Sequence, residues 1–136
     1  MVYDSKRKRI VLFGGTGGTP DAKYGDTWEF DGKSWTKVSN EGPGFRMTMG
    51  YAYDSKRGLF LIFGGAGADG IKSDTWAWDG KSWKQLATTG PTPRMMGYMA
   101  YDKKRDKVVL FGGRLGWPND VNDTWEWDGE RWREVK

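Results

Sequence analysis

Asp123-Thr-Trp-Glu-Trp-Asp128-Gly129 stands almost word for word twice more in the chain, as Asp26-Thr-Trp-Glu-Phe-Asp31-Gly32 and Asp74-Thr-Trp-Ala-Trp-Asp79-Gly80. The sequence is a threefold repeat. A Tyr-Asp pair (3-4, 53-54, 101-102) and Phe-Gly-Gly (13-15, 63-65, 111-113) precede each copy, and a lone Trp (35, 83, 132) follows it. From Tyr3 to Tyr53 is 50 positions and from Tyr53 to Tyr101 is 48. A fixed period of this length marks an array of supersecondary units that bury their apolar faces against one another. The units run over 1-39, with a short first strand, then 40-87 and 88-136.

Each unit spells four short strands. Tyr51-Ala-Tyr-Asp54 alternates and meets Ser-Lys-Arg-Gly, a strand entering a hairpin turn. Leu59-Phe-Leu-Ile-Phe63 is apolar throughout, which suits a strand covered on both faces, and Ile10 to Phe13 and Val108 to Phe111 repeat it. The Gly-Gly that follows is expected to end that strand. The Asp-Thr-Trp word is the third strand, Asp-Gly a two-residue hairpin turn, and the lone Trp the start of a fourth. The fold class is therefore all-β, three four-stranded antiparallel meanders.

Composition narrows the chemistry. The 136 residues include no Cys and no His, which excludes disulfides, thiolate catalysis, imidazole bases and Cys- or His-ligated metals. No metal or other cofactor is expected. No charged-then-apolar leader is legible, and the longest apolar runs, such as Leu59 to Phe63, are too short to span a bilayer. A net charge of +4 does not by itself imply nucleic acid.

The Gly-Gly after an apolar strand, the Trp of the third strand, the Trp opening the fourth, and the linkers Gly42-Pro-Gly-Phe-Arg46 and Gly90-Pro-Thr-Pro-Arg94 together resemble Kelch repeats. The resemblance covers the whole chain. It implies blades of a β-propeller, a fold that serves mostly as a binding scaffold and in a minority of members as an enzyme. A ring similar to those of the family would need about six or seven blades against the three present. Two chains closing a six-bladed ring by two-fold symmetry is the expected solution, because closed cyclic homo-oligomers are the commonest kind. An aggregating fragment and an engineered or ancestor-like half propeller are the alternatives.

Repetition separates construction from function. Asp26, Asp74 and Asp123 recur and read as turn or strand-capping carboxylates. Trp28, Trp76, Trp125 and Trp35, Trp83, Trp132 read as packing between units, and Met1, Tyr51 and Met99 share one core or channel-lining position. Gly14 to Gly18 and Gly64 to Gly67 read as turns, not phosphate cradles, since no helix or Lys-Ser/Thr follows. Arg46 and Arg94 in the linkers have two readings, bonding neighbouring carbonyls or contacting a ligand at the mouth of the ring. Residues that break the repeat are better candidates: Trp117 beside Arg114 in the loop 114-119, and Phe45, which stands where the next linker has Pro93. An exposed aromatic next to a cation suits a sugar, a peptide side chain or a base.

Lys6, Arg7, Lys8, Arg9, Lys56, Arg57, Lys103, Lys104 and Arg105 fall in or beside the first turns, on the side that also carries Lys33, Lys81 and Arg131. They are expected to form a basic face, either solvated hairpins or a polyanion site. The leading expectation is a non-catalytic, self-assembling scaffold with a loop-lined mouth for protein, peptide or glycan. A glycan-processing enzyme using two of Asp21, Glu41, Asp69 and Asp120 is the rival. A copper site similar to that of Kelch-type oxidases would want His ligands and a Cys-modified Tyr, and the chain has neither residue type.

Overall fold

The computed structural model describes residues 1-19 and 21-136, so Pro20 lies outside the described residues. Three four-stranded antiparallel meanders follow one another along the chain. The first contains β1 (Val2–Asp4), β2 (Arg9–Thr16), β3 (Lys23–Phe30) and β4 (Trp35–Ser39). A two-residue strand β5 (Arg46–Met47) lies in the linker, and β6 (Gly50–Asp54) and β7 (Leu59–Phe63) open the second meander. A small hairpin of β8 (Ala66–Gly67) and β9 (Gly70–Ile71) interrupts it before β10 (Thr75–Trp78) and β11 (Trp83–Ala87) complete it. The third contains β12 (Tyr98–Asp102), β13 (Lys107–Gly116), β14 (Asn119–Trp127) and β15 (Trp132–Val135). A fourth, three-stranded sheet joins β5, β8 and β9. There is no helix among the described residues.

The side-chain period of two places the core between meanders, not within one. On β7, Phe60 and Ile62 point into a cluster shared with Val11 and Phe13 of the first meander. Leu61 and Phe63 point the other way, into a cluster with Val108, Leu110, Trp127 and Trp132 of the third. That two-sided cover is why Leu59 to Phe63 is apolar without alternation. The outer meanders are covered on one side only. Phe111, at the position of Phe63 in the repeat, is 51% exposed where Phe63 is 1% exposed.

Three turn expectations need correction. The Gly-Gly pairs do not end β2 or β13, which run on through them with a register shift between Phe13 and Gly15 and between Phe111 and Gly113. The glycines are required for a different reason. Gly14 and Gly64 have φ of 66° and 63°, and a Cβ on either would strike the carbonyl oxygen of Arg46 or Arg94 in the overlying linker. The Asp-Gly turns are four-residue loops, since Phe30 pairs with Trp35 and Trp78 with Trp83. In each, the aspartate closes the turn: Asp31 Oδ1 accepts from Lys33 N at 2.8 Å and Ser34 N at 2.9 Å, and Asp79 and Asp128 repeat this. The aspartate of each Tyr-Asp pair builds the first turn in the same way, through the amides of Lys6 and Arg7, Lys56 and Arg57, and Lys104 and Arg105. Finally, Asp26, Asp74 and Asp123 cap no turn. They lie in or just before the third strand, and each accepts the indole N–H of the Trp two residues on.

Candidate functional site

Arg94 enters the third meander from the linker and is 1% exposed. Its guanidinium donates to Asp123 Oδ1 at 2.5 Å, to Asp123 Oδ2 at 2.9 Å and to the Gly112 carbonyl at 3.1 Å. Its own carbonyl accepts from Gly65 N of the second meander at 2.8 Å. Arg46, also buried, places its guanidinium in the same way one unit earlier, with Asp74 and the Gly64 carbonyl as acceptors, and its own carbonyl lies against Gly14 of the first meander. Each linker arginine therefore ties two successive meanders together and turns its cationic end inward, so neither presents a free guanidinium at the surface. Hydrogen bonds from Arg94, and from the Trp125 indole against the effect of partial burial, hold the Asp123 carboxyl below its ordinary range. Burial alone would raise Asp74, yet the bonds from Arg46 and Trp76 outweigh it and the net shift is again downward. Asp26 has no arginine and pairs instead with Lys37 at 2.9 Å.

The segment holding Trp117 is not an irregular loop. β13 and β14 pair as far as Gly116 with Asn119, which leaves Trp117-Pro118, joined by a cis peptide bond, as the tip of a long hairpin. Trp117 is 81% exposed. The Arg114 guanidinium carbon stands 4.9 Å from the centre of its ring, and Arg114 also forks onto Asp120, Nε to Oδ1 at 2.6 Å and Nη2 to Oδ2 at 3.1 Å. The result is a flat aromatic platform backed by a cation whose orientation the aspartate fixes. Phe45 is not brought to it. Phe45 lines a separate cleft with Tyr24 and Asp26, where Lys23 Nζ lies 5.6 Å from its ring centre.

Between the linkers and the hairpin runs a surface of which the sequence singles out only Tyr51 and Met99, as core or channel-lining residues. Thr48, Met49, Tyr51, Met96, Tyr98 and Met99 line a cleft of about 340 Å³. Met96 and Tyr98 also border a second cleft, of about 320 Å³, whose far wall is Arg114, Asp120 and Val121. Two backbone outliers sit on this surface: Thr48 has φ of 53° and Met96 of 57°, and Met96 N donates to Thr48 O at 2.6 Å. Neither residue type favours the left-handed region, so the surrounding structure imposes it, a pattern common at binding surfaces. The signal available in the sequence was the pair Arg46-Met-Thr-Met-Gly-Tyr51 and Arg94-Met-Met-Gly-Tyr98, which recurs and so reads as construction.

The basic face is neutralised in part, at its three turn arginines and Lys56. Arg7 pairs with Asp4 at 2.7 Å and Glu29 at 2.6 Å, and Arg57 with Asp54 at 2.7 Å and Asp106 at 2.8 Å. Arg105 pairs with Asp102 and Glu126, and Lys56 with Asp106. Lys6 donates to the Lys56 carbonyl at 3.0 Å. Lys8, Arg9, Lys103 and Lys104 are in none of these pairs. Hydrogen bonds from Arg57, followed by Lys56, keep Asp106 strongly depressed despite a smaller opposing burial effect. Of the four carboxylates that a glycosidase could draw on, Asp69 is held low by Lys72 and Asp120 by Arg114. No group of three or more acidic side chains able to hold a metal occurs among the described residues. No helix of the described residues is long and apolar enough to cross a membrane. Compared with known proteins, the chain matches no family model and no curated protein.

Proposed function

We propose that this chain is a non-catalytic binding module built of Kelch-type β-propeller blades, and that it takes a peptide or glycan on the hairpin tip at Trp117. The observation that carries the binding reading is the Trp117 ring, 81% exposed on a paired hairpin with the Arg114 cation beneath it. An exposed indole on a rigid support loses little conformational freedom on binding, and its face accepts the C–H side of a sugar ring or the side chain of a peptide. The clefts lined by Met96 and Tyr98 extend the same edge as an apolar surface. Methionines and tyrosines adapt to such ligands without a unique fit. The propeller reading is supported by three successive four-stranded meanders whose cores lie between sheets.

The glycosidase rival has less to draw on. A general acid needs a carboxyl raised above its usual range, and Asp69 and Asp120 are shifted the other way by their cationic partners. A screen of peptide and glycan arrays, followed by calorimetric titration of the best ligand, tests the proposal. Trp117→Ala is expected to weaken that ligand about tenfold, the worth of roughly 1.4 kcal/mol of stacking and cation–π contact. Undiminished affinity in Trp117→Ala overturns the assignment of the site.

A further inference from the structure

Each internal junction between meanders is made of the same three contacts. At the first, Trp83 Nε1 donates to Thr27 Oγ1 at 2.8 Å, and the Trp83 ring lies 4.7 Å from that of Phe13. At the second, Trp132 Nε1 donates to Thr75 Oγ1 at 2.8 Å, and its ring lies 5.3 Å from Phe63. The third contact lays a turn arginine over the glycine of the next meander's Asp-Gly turn. A Cβ on Gly80 would sit 2.6 Å from Arg7 Nε, and one on Gly129 would sit 2.9 Å from Arg57 Nε. Arg57 Nη2 also donates to the Asp128 carbonyl there, at 3.2 Å.

The two outer faces carry the two unmet halves of this set. Phe111, Thr124 and Arg105 on the third meander occupy the repeat positions of Phe63, Thr75 and Arg57. Thr27 and Thr75 are fully buried, whereas Thr124 is only partly so and Phe111 is half exposed. On the first meander, Trp35 is 43% exposed where its counterpart Trp132 is 7% exposed, and the space beside Gly32, which an arginine fills at Gly80 and Gly129, is open. Each face has the residues the other lacks.

We propose that a second copy of this chain fills the gap. Trp35 of the partner subunit donates to Thr124 Oγ1 and packs on Phe111, while Arg105 lies over Gly32 of the partner subunit. The contact is head to tail, third meander on first. Resting on the propeller reading above, it closes with two copies, because three blades per copy reach the roughly four-to-eight-blade range of closed rings only as a pair. The first junction has one bond more, Trp78 Nε1 donating to Glu29 at 3.2 Å; the second has Ala77 in place of the glutamate, and at the proposed one the Phe30 side chain of the partner subunit has no N–H to offer Glu126. In this respect the proposed junction matches the second internal one and lacks a bond that the first has.

Light scattering on the 136-residue chain is expected to give twice the single-chain mass. Phe111→Glu and Trp35→Glu, both at exposed positions, should each yield monomers with an unchanged far-ultraviolet spectrum. Mixing the two variants should restore a two-chain particle, because one junction of the pair then has both native halves. A monomeric wild type overturns the proposal, as does a dimer lost in Trp35→Glu but unaffected by Phe111→Glu, which would mean face-to-face pairing. Ligand titration of the same samples separates this proposal from the binding site: a monomer that still binds through Trp117 sinks only the dimer, and a dimer indifferent to Trp117→Ala sinks only the site.

Discussion

Arg94 and Arg114 are separated by one β-bridge, between Met95 and Arg114, and each forks onto an aspartate at nearly the same distance, 2.5 Å to Asp123 and 2.6 Å to Asp120. Their surroundings differ. Arg94 is almost wholly buried with a carbonyl as further acceptor, whereas Arg114 lies in a partly open pair beneath an exposed indole. Equal geometry thus has unequal worth: the desolvated pair cannot lose one partner without stranding a charge, and the solvated pair can. The first holds two meanders together, and the second orients a surface.

The largest expected effect breaks the buried pair. Arg94→Ala leaves the partly buried Asp123 carboxylate with only the Trp125 indole as side-chain donor and removes the arginine from the Gly112 carbonyl, and should destabilise the chain by about 3 kcal/mol or more, a fall in melting temperature of about 10 °C. A change under a degree by differential scanning calorimetry would break the comparison. Acid sharpens it. The Asp123 carboxyl is lowered in the folded state chiefly by Arg94. Its contribution is therefore complete above the unfolded value of about 3.9 and is lost as pH falls through the lower folded value. Between pH 5 and 2.5 the wild type should lose melting temperature more steeply than Arg94→Ala, and parallel curves would contradict the assignment.

A smaller effect tests the same contrast in tryptophans. Trp132→Phe removes the indole donor to the buried Thr75 hydroxyl and should cost about 1 kcal/mol in a chemical denaturation curve. The same change at the exposed Trp35 should leave the single-chain stability unaltered, which a monomeric background such as Phe111→Glu makes measurable. Arg114→Ala is the smallest, with less than about 1 kcal/mol of stability expected to be lost. Equal losses from Arg94→Ala and Arg114→Ala would erase the distinction altogether.

The meanders were legible because their determinants are local. A two-residue alternation and an aspartate that closes its own turn lie within a few residues of one another, so the sequence exposes them directly. The arginine-aspartate ties were not, since Arg46 reaches Asp74 across 28 positions and Arg94 reaches Asp123 across 29. Nothing local distinguishes such an arginine from a ligand-binding one. Trp117 could be singled out only because it departs from the repeat, and its paired hairpin was hidden by the glycines at 112, 113 and 116, which read as breaks. The cleft at Met96 and Tyr98 escaped for the opposite reason. Its residues recur, and the left-handed backbone at Thr48 and Met96 has no sequence signature in residues that ordinarily avoid it.

The central claim is that repeated side chains build this molecule while the Arg114-Trp117 hairpin tip binds. Parallel calorimetric titration and thermal melting of Trp117→Ala and the wild type, with the best ligand from the peptide and glycan arrays, test it most directly. The prediction is an affinity about tenfold weaker with a melting temperature unchanged to within a degree or two. Full affinity in Trp117→Ala, or a drop of several degrees without ligand, would contradict it.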